Sequence, residues 1–422
     1  MFLPNQMLLI LWKNRKPLRM GPGPMLPVLS LLVWLLHLSA LCQDPYLLGV
    51  ARLQEGSYEA ARNHFEQVLA TDGENPEGLL KMAETYYQAN DYRDAIVYLE
   101  RLEKAREGMG CYLLAKTYAQ LGDAAMAALL LEKHLRSGYK LPSGTILLDE
   151  AFVSIENSPE WKSLWRNDWY SEDEVLFQEI SYLTNSGDYL DALDLIDQAL
   201  EGAADRASLL TARGTVFHHM GNYQNSIQAY TAAIDLSRMN PESFYGRAQS
   251  FMALGKFKDA IPDLKRTMQL QPEKLELLKE LGEAHRAAGN FDQAAEVIEE
   301  YTEYFPEQAE AHYIHGQILF ESGKYLKALS CFNHCLELET NDPRFYAARG
   351  ETYLATSTYR YALNDFGMAL DLDPKNHEVW FQKGMARWYS NDREGSIADW
   401  ERAARYGSEK AAKKLDELAV RQ

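Results

Sequence analysis

Cysteine is scarce in this chain. Of four cysteines in 422 residues, Cys42 lies in the N-terminal 42, which leaves only Cys111, Cys331 and Cys335 beyond it. Three thiols do not build a disulfide framework. Sequons for N-glycosylation, Asn-x-Ser/Thr with x other than proline, are absent. Positive charge is in deficit, with Lys+Arg 43 against Asp+Glu 61 and a net charge of −18, so the chain repels phosphate backbones and nucleic acid is excluded as its main partner. Sequence signatures of catalysis are missing too: there is no Gly-x-Ser-x-Gly, no P-loop, no His-Glu-x-x-His and no Cys-x-x-Cys. What is present is an ordinary folded composition. With 46% hydrophobic, 25% charged and 11% aromatic residues, the chain can bury a large core, which excludes disorder and a collagen-like fibre.

Residues 1–42 differ from the rest. Lys13, Arg15, Lys16 and Arg19 form a positive patch with no acid before Asp44, and the apolar run Val28 to Leu41 follows a Pro/Gly-rich break. This is the layout of a secretory signal. The run has 14 residues and contains His37, short of the roughly 20 that span a bilayer as a helix, so a removed signal is preferred to an uncleaved membrane anchor. The remainder then carries 39 cations against 61 acids, a charge of −22. Export to the periplasm or cell envelope of a Gram-negative bacterium is expected. The missing sequons favour that compartment over a eukaryotic lumen.

Self-comparison reveals a period. The turns at Gly187, Gly221, Gly255, Gly289 and Gly323 follow one another at steps of 34, and two further steps land on Ser357 and Asn391. Seven units in phase start at Asp173, Ala207, Pro241, Leu275, Ala309, Pro343 and His377. Each reads as two amphipathic helices, A and B, joined by the turn. Small residues recur at place 8 (Gly214, Ala248, Gly282, Gly316, Gly350, Gly384) and place 20 (Ala192, Ser226, Ala260, Ala294, Ala328, Ala362, Ser396), where the two helices must approach closely. Place 24 is large: Ile196, Tyr230, Leu264, Ile298, Phe332, Phe366 and Trp400. The first unit departs with Ile180 at place 8, so different packing is expected there.

These residues resemble the tetratricopeptide repeat family. The resemblance implies an all-α fold, a right-handed α-α superhelix of about ten helix-turn-helix units. Looser copies upstream run through Gly56-Ser57-Tyr58, Asn90-Asp91-Tyr92 and Gly122. The expected organisation is a signal at 1–42, three degenerate repeats at 43–137, a Trp-rich helical insert at 138–172, seven strict repeats at 173–407 and a capping helix at 408–422. In the insert, Trp161, Trp165 and Trp169 are spaced i, i+4, i+8 and would form one stripe on a helix. The stripe is read first as core docked on the third repeat, and alternatively as a partner-facing aromatic platform.

One hairpin gathers five potential metal ligands. His312 and His315 precede Cys331, His334 and Cys335, but His315 and Cys335 occupy packing places and His334 is expected to point elsewhere, so no metal or other cofactor is assigned. His218 and His219 are expected at the surface.

In the resembled family, helix A lines a concave groove through places 2, 5, 9, 12 and 13. The groove candidates are then Phe177, Tyr245, Met252, Lys279, Tyr313, Phe320, Leu354, Phe381 and Trp388, fringed by Glu242, Glu276, Glu283, Glu310 and Glu351. Such a lining suits an extended or helical peptide anchored by apolar side chains. The family's clamp for a chaperone's terminal carboxylate needs an Asn that place 9 lacks: it reads Ser181, Thr215, Gln249, Glu283, Gln317, Glu351 and Met385. A non-enzymatic scaffold holding a protein or peptide is therefore the expected function, with a holdase for exported unfolded chains as the alternative. Membrane contact is expected only through residues 1–42.

Overall fold

A computed structural model describes residues 44–202 and 205–419. The signal expected at 1–42 lies outside the described residues. Every regular element described is helical. Three helix pairs come first: α1 (Pro45–Gln54) with α2 (Tyr58–Thr71), α3 (Pro76–Gln88) with α4 (Tyr92–Ala105), and α5 (Cys111–Gln120) with α6 (Ala124–Leu135). The short helices α7 (Ser143–Leu147) and α8 (Pro159–Leu164) interrupt the series. Seven further pairs follow, α9 (Glu172–Ser186) with α10 (Tyr189–Leu200), α11 (Arg206–His219) with α12 (Tyr223–Leu236), α13 (Pro241–Ala253) with α14 (Phe257–Leu270), and α15 (Glu276–Ala287) with α16 (Phe291–Tyr304). The series ends with α17 (Ala309–Glu321) and α18 (Tyr325–Leu338), α19 (Pro343–Ala355) and α20 (Tyr359–Leu372), α21 (His377–Tyr389) and α22 (Arg393–Arg405), and the single helix α23 (Glu409–Ala419). Each helix packs mainly on its neighbours in sequence, so the chain is an α-α solenoid.

The turns explain the period. Gly187, Gly221, Gly255, Gly289 and Gly323 all hold positive φ between 70° and 87°, a conformation that costs a residue with a Cβ. Ser357 (φ 58°) and Asn391 (φ 73°) adopt the same conformation without being glycine. Inside the six hairpins from Ala207 onward, the small residue at place 8 receives the large one at place 24. A Cβ added at Gly214 would fall 2.7 Å from the Tyr230 ring, and one at Gly350 would fall 2.8 Å from the ring of Phe366. Tyr230 carries a hydroxyl that the other units lack at this place, and Gly246 of the following helix makes the extra room. The hydroxyl itself lies 3.0 Å from Thr215 Oγ1. Ile180 is buried beside Ala192 and Ile196 in the first strict unit.

A second internal device recurs at places 7 and 23. Arg247 donates through Nε and Nη2 to the two carboxylate oxygens of Asp263, both at 2.8 Å, and Arg349 does the same to Asp365 at 2.7 and 2.8 Å. Asp263 and Asp365 are buried, so each is matched by a forked donor that satisfies both oxygens. In the last unit Lys383 stands at place 7, and Asp399 is met by Arg387 from the following turn at 3.2 Å.

The two ends of the described chain are covered differently. At the C-terminal end, Leu415 and Leu418 of α23 join a cluster with Trp380, Phe381, Trp388 and Trp400. At the N-terminal end, Val50, Ala51 and Leu53 of α1 share a cluster with Leu275, Leu278, Tyr301, Tyr304 and Phe305 of the seventh pair. The apolar face that a solenoid leaves open at its first repeat is thus buried against a distant repeat of the same chain.

The interruption corrects one expectation. The three tryptophans do not share a helix: α8 ends at Leu164, Trp165 is its C-cap, and Trp169 lies beyond it. The physical reason is at the helix end, where the Trp169 indole N–H donates to the Leu164 carbonyl at 2.8 Å and satisfies an oxygen that a longer helix would have used. All three rings nevertheless pack with Ala115, Ala127 and Leu131 of the third repeat, which is the core reading. Lys140 ties the segment forward, with its ammonium 2.8 Å from Glu174 and 2.9 Å from the Trp169 carbonyl.

Candidate functional site

The A helices α9 to α21 carry the groove candidates at places 5 and 12, about two turns apart on one face, and none of the nine is fully buried. Their surroundings fall into three stretches. At the first, Phe177 lines a cavity of about 250 Å³ whose other walls are rich in hydroxyls, among them Ser181, Thr184, Thr211 and Thr215. Thr211 Oγ1 lies 2.7 Å from Ser243 Oγ, so part of this polarity is spent between neighbouring helices.

In the middle stretch, Tyr245 donates its hydroxyl to Glu280 at 2.9 Å, and Gln249 donates to the other oxygen at 2.6 Å. Burial, and after it the Glu280 carboxylate, push the Tyr245 phenol up to about 12. Glu280 itself is raised above the ordinary carboxylate range, chiefly by burial. Lys279 sits with its ammonium 5.8 Å from the Tyr301 ring centre. Met252 packs against the cluster that holds Ala248, Ala260 and Leu264.

The third stretch holds a cavity of about 390 Å³ between α17, α19 and α21. Tyr313 and Phe320 line it, together with Gln317, Ala347, Ala348, Glu351, Glu378 and Val379. Gln317 donates to the Tyr313 hydroxyl at 2.8 Å, while the Arg344 guanidinium lies 5.2 Å from the same ring. Arg344 is in turn held by Glu310 at 2.8 Å and Asp342 at 2.6 Å. The remaining candidates lie elsewhere. Leu354 packs with Phe366 and Ala362, while Phe381 and Trp388 approach Trp400, at 6.3 and 5.5 Å between ring centres, in the cluster closed by α23. Of the nine, Tyr313 and Phe320 share this cavity.

Three functional-looking residues escaped the reading of the sequence. Glu280 stands at place 6, outside the expected lining, yet its carboxylate is the hub for Tyr245 and Gln249. Arg344 and Glu378 stand at place 2, a place read elsewhere as acidic fringe, and the repeat phase alone would have found both.

The histidine-cysteine hairpin is not built as a metal site. Among the described residues, no group of three or more His, Cys, Asp or Glu is arranged to hold an ion. His334 does not point elsewhere as expected: its ring meets that of His312 edge-on at 4.4 Å, and both Nε2 atoms approach the Pro306 carbonyl, at 3.4 and 2.8 Å. A shared acceptor on the preceding loop draws the two rings together. Cys335 donates to the Ala309 carbonyl at 3.3 Å. His218 is half-buried, its Nδ1 2.9 Å from Ser250 Oγ, so only His219 is exposed as expected. Burial pushes the Cys111 and Cys335 thiols up to about 12 and Cys331 to about 11, which keeps all three protonated and poorly nucleophilic at neutral pH.

Known proteins resemble the chain through its repeats. Family models described as tetratricopeptide repeat match residues 52–108 and 251–318 and, separately, 309–342, and a model described as TPR repeat matches 214–255. No curated protein sequence matches. Among solved structures, the C-terminal part of a TPR repeat-containing protein from Cytophaga hutchinsonii is 18% identical, covering 57% of this chain and 99% of that one with a TM-score of 0.47. A tetratricopeptide repeat protein from Parabacteroides merdae is 21% identical over 58% of this chain and 98% of its own, with a TM-score of 0.41. YrrB, described as a TPR protein with an unusual peptide-binding site, is 17% identical over 45% and 99%, with a TM-score of 0.37. The unbroken 34-residue phase, the small-large pairing inside each hairpin and the family-model matches agree: the chain belongs to the tetratricopeptide repeat family.

Proposed function

We propose that this protein is a non-enzymatic scaffold of the bacterial cell envelope that holds a protein or peptide partner in the concave groove formed by its A helices. Solenoids of this class offer extended concave surfaces and need no catalytic group to bind. The observation that carries the reading is the cavity between α17, α19 and α21. There Tyr313 and Phe320 pack against the hairpin core yet remain half-buried and line the cavity. An aromatic wall with one apolar and one polar edge is the kind of surface on which binding energy concentrates. Location in the envelope rests on the charge and hydropathy pattern of residues 1–42.

The test is crosslinking and affinity purification of the full chain from native envelopes, with the wild type beside a Tyr313→Ala, Phe320→Ala variant. One dominant partner, lost in the variant while its melting temperature is unchanged, is the expected result. An identical partner set would move the binding surface away from this groove. Binding of many unrelated unfolded chains instead would favour the holdase. Recovery of the protein in the cytosolic fraction would remove the envelope assignment.

A further inference from the structure

One carboxylate in the groove has no counter-charge of its own. Glu351, at place 9 of the unit that starts at Pro343, lines the cavity of about 390 Å³. Its charged neighbours there are engaged: Glu321 with Arg286, Arg344 with Glu310 and Asp342, and Glu378 with Lys410 of the capping helix at 3.0 Å. Asp373 accepts the Lys375 amide at 3.4 Å. Among the described residues, no hydrogen bond or ion pair matches the Glu351 carboxylate. Burial, and next the Glu378 charge, raise its pKa, against a smaller opposing pull from Lys410. An ionised group held partly out of water without a partner is costly, and a bound cation would relieve that cost.

The shape of the cavity has a local cause. Place 5 carries a ring in Tyr245, Tyr313 and Phe381, but in this unit it is Ala347, followed by Ala348. Two methyl groups where a ring could stand leave an apolar shaft beside Tyr313, with Glu351 one turn further along α19. Lysine and arginine side chains suit such a site, because their methylene stems bury against apolar walls while the charged head meets a carboxylate. Charge complementarity favours the same occupant. The cavity is lined by four carboxylates and one guanidinium, in a chain of net charge −18.

We propose that this cavity takes the side chain of a lysine or arginine from an extended peptide lying in the groove, its head on Glu351 and its stem against Tyr313, Ala347 and Ala348. The assignment rests on the reading of the groove as the partner-binding surface and names the chemistry of that partner. An acidic side chain would instead meet Glu351 and Glu378 with like charge.

The test uses the full chain and three fluorescein-labelled peptides with the core Leu-Arg-Leu, Leu-citrulline-Leu or Leu-Glu-Leu between Gly-Ser flanks, followed by fluorescence anisotropy. Citrulline keeps the shape of arginine and removes its charge. The arginine peptide is expected to bind about tenfold more tightly than the citrulline peptide. Glu351→Gln should erase that difference while leaving citrulline-peptide affinity unchanged, which also shows that the variant is folded. Glu351→Lys should turn the preference toward the glutamate peptide. Equal binding of the arginine and citrulline peptides, both weakened by Tyr313→Ala, would overturn this inference and leave the groove reading standing. An arginine preference that survives Glu351→Gln would overturn the assignment to Glu351. Absence of binding by all three, or binding indifferent to Tyr313→Ala, would overturn both readings.

Discussion

Gly316 and Phe332 are in such close contact that a Cβ built on the glycine would lie 2.6 Å from Cε1 of the ring. Phe332 is 1% exposed and cannot swing into solvent without emptying the centre of its hairpin. Gly316→Leu is therefore expected to cost about 1–3 kcal/mol through overpacking of helix A on helix B. Urea unfolding of the purified chain measures it. No loss would mean that the ring has an alternative seat.

Ser357 holds φ at 58°, where a side chain is strained, at the same place in the phase where five earlier units use glycine. Ser357→Gly is expected to stabilise the chain by about 1 kcal/mol. Gly323→Ala tests the same physics in reverse. Its Cβ would meet nothing within 4 Å, so any loss there, again about 1 kcal/mol, is backbone strain and not crowding. If the two substitutions shift stability in the same direction, the strain account fails.

The Arg349–Asp365 pair joins helix A to helix B with both carboxylate oxygens engaged, and Asp365 is 2% exposed. Asp365→Ala leaves the guanidinium facing a hole and is expected to cost about 3–5 kcal/mol. The double change Arg349→Met, Asp365→Leu is expected to recover most of it, because the desolvation penalty disappears with the charges. A double-mutant cycle on thermal unfolding distinguishes this from simple cavity formation.

His134 is 2% exposed, its Nε2 accepting the Leu141 amide at 3.1 Å. Burial lowers its pKa from 6.5 to about 4. A folded-state value below the unfolded one means that the unfolded chain takes up the proton first as pH falls. Its contribution is therefore complete above about pH 6.5 and disappears progressively down to pH 4, and amounts to at most about 3 kcal/mol. Burial places His315 in the same window, also at about 4. Melting temperature should fall between pH 6.5 and 4. In His134→Gln, which keeps an acceptor for Leu141, that slope should be shallower. An unchanged slope would remove His134 from the account of acid lability.

The interrupted segment shows where reading by period runs out. Trp161, Trp165 and Trp169 have helical spacing, yet the backbone leaves the helix after Leu164, whose carbonyl accepts the Trp169 indole N–H at 2.8 Å and the Asn167 amide at 3.5 Å and no amide four residues on. Spacing reports which residues could share a face, while a side-chain cap can end the helix before they do. His312 and His334 make the same point. Their separation by 22 places carries no pattern, and a common approach to the Pro306 carbonyl brings them into contact.

Sequence alone determined the repeat phase, the turn positions and the small-large pairing within each hairpin, because those contacts are local and recur every 34 residues, so each copy reinforces the rest. Tertiary structure decided everything that joins unlike places. The seating of α1 on the seventh pair depends on how distant repeats meet, and the cavity that brings Tyr313 together with Ala347, Glu351 and Glu378 depends on how neighbouring repeats stack. Stacking places side chains from different units together at distances that no single unit encodes. A partner meets a surface assembled from several repeats at once, whereas the period describes one repeat at a time.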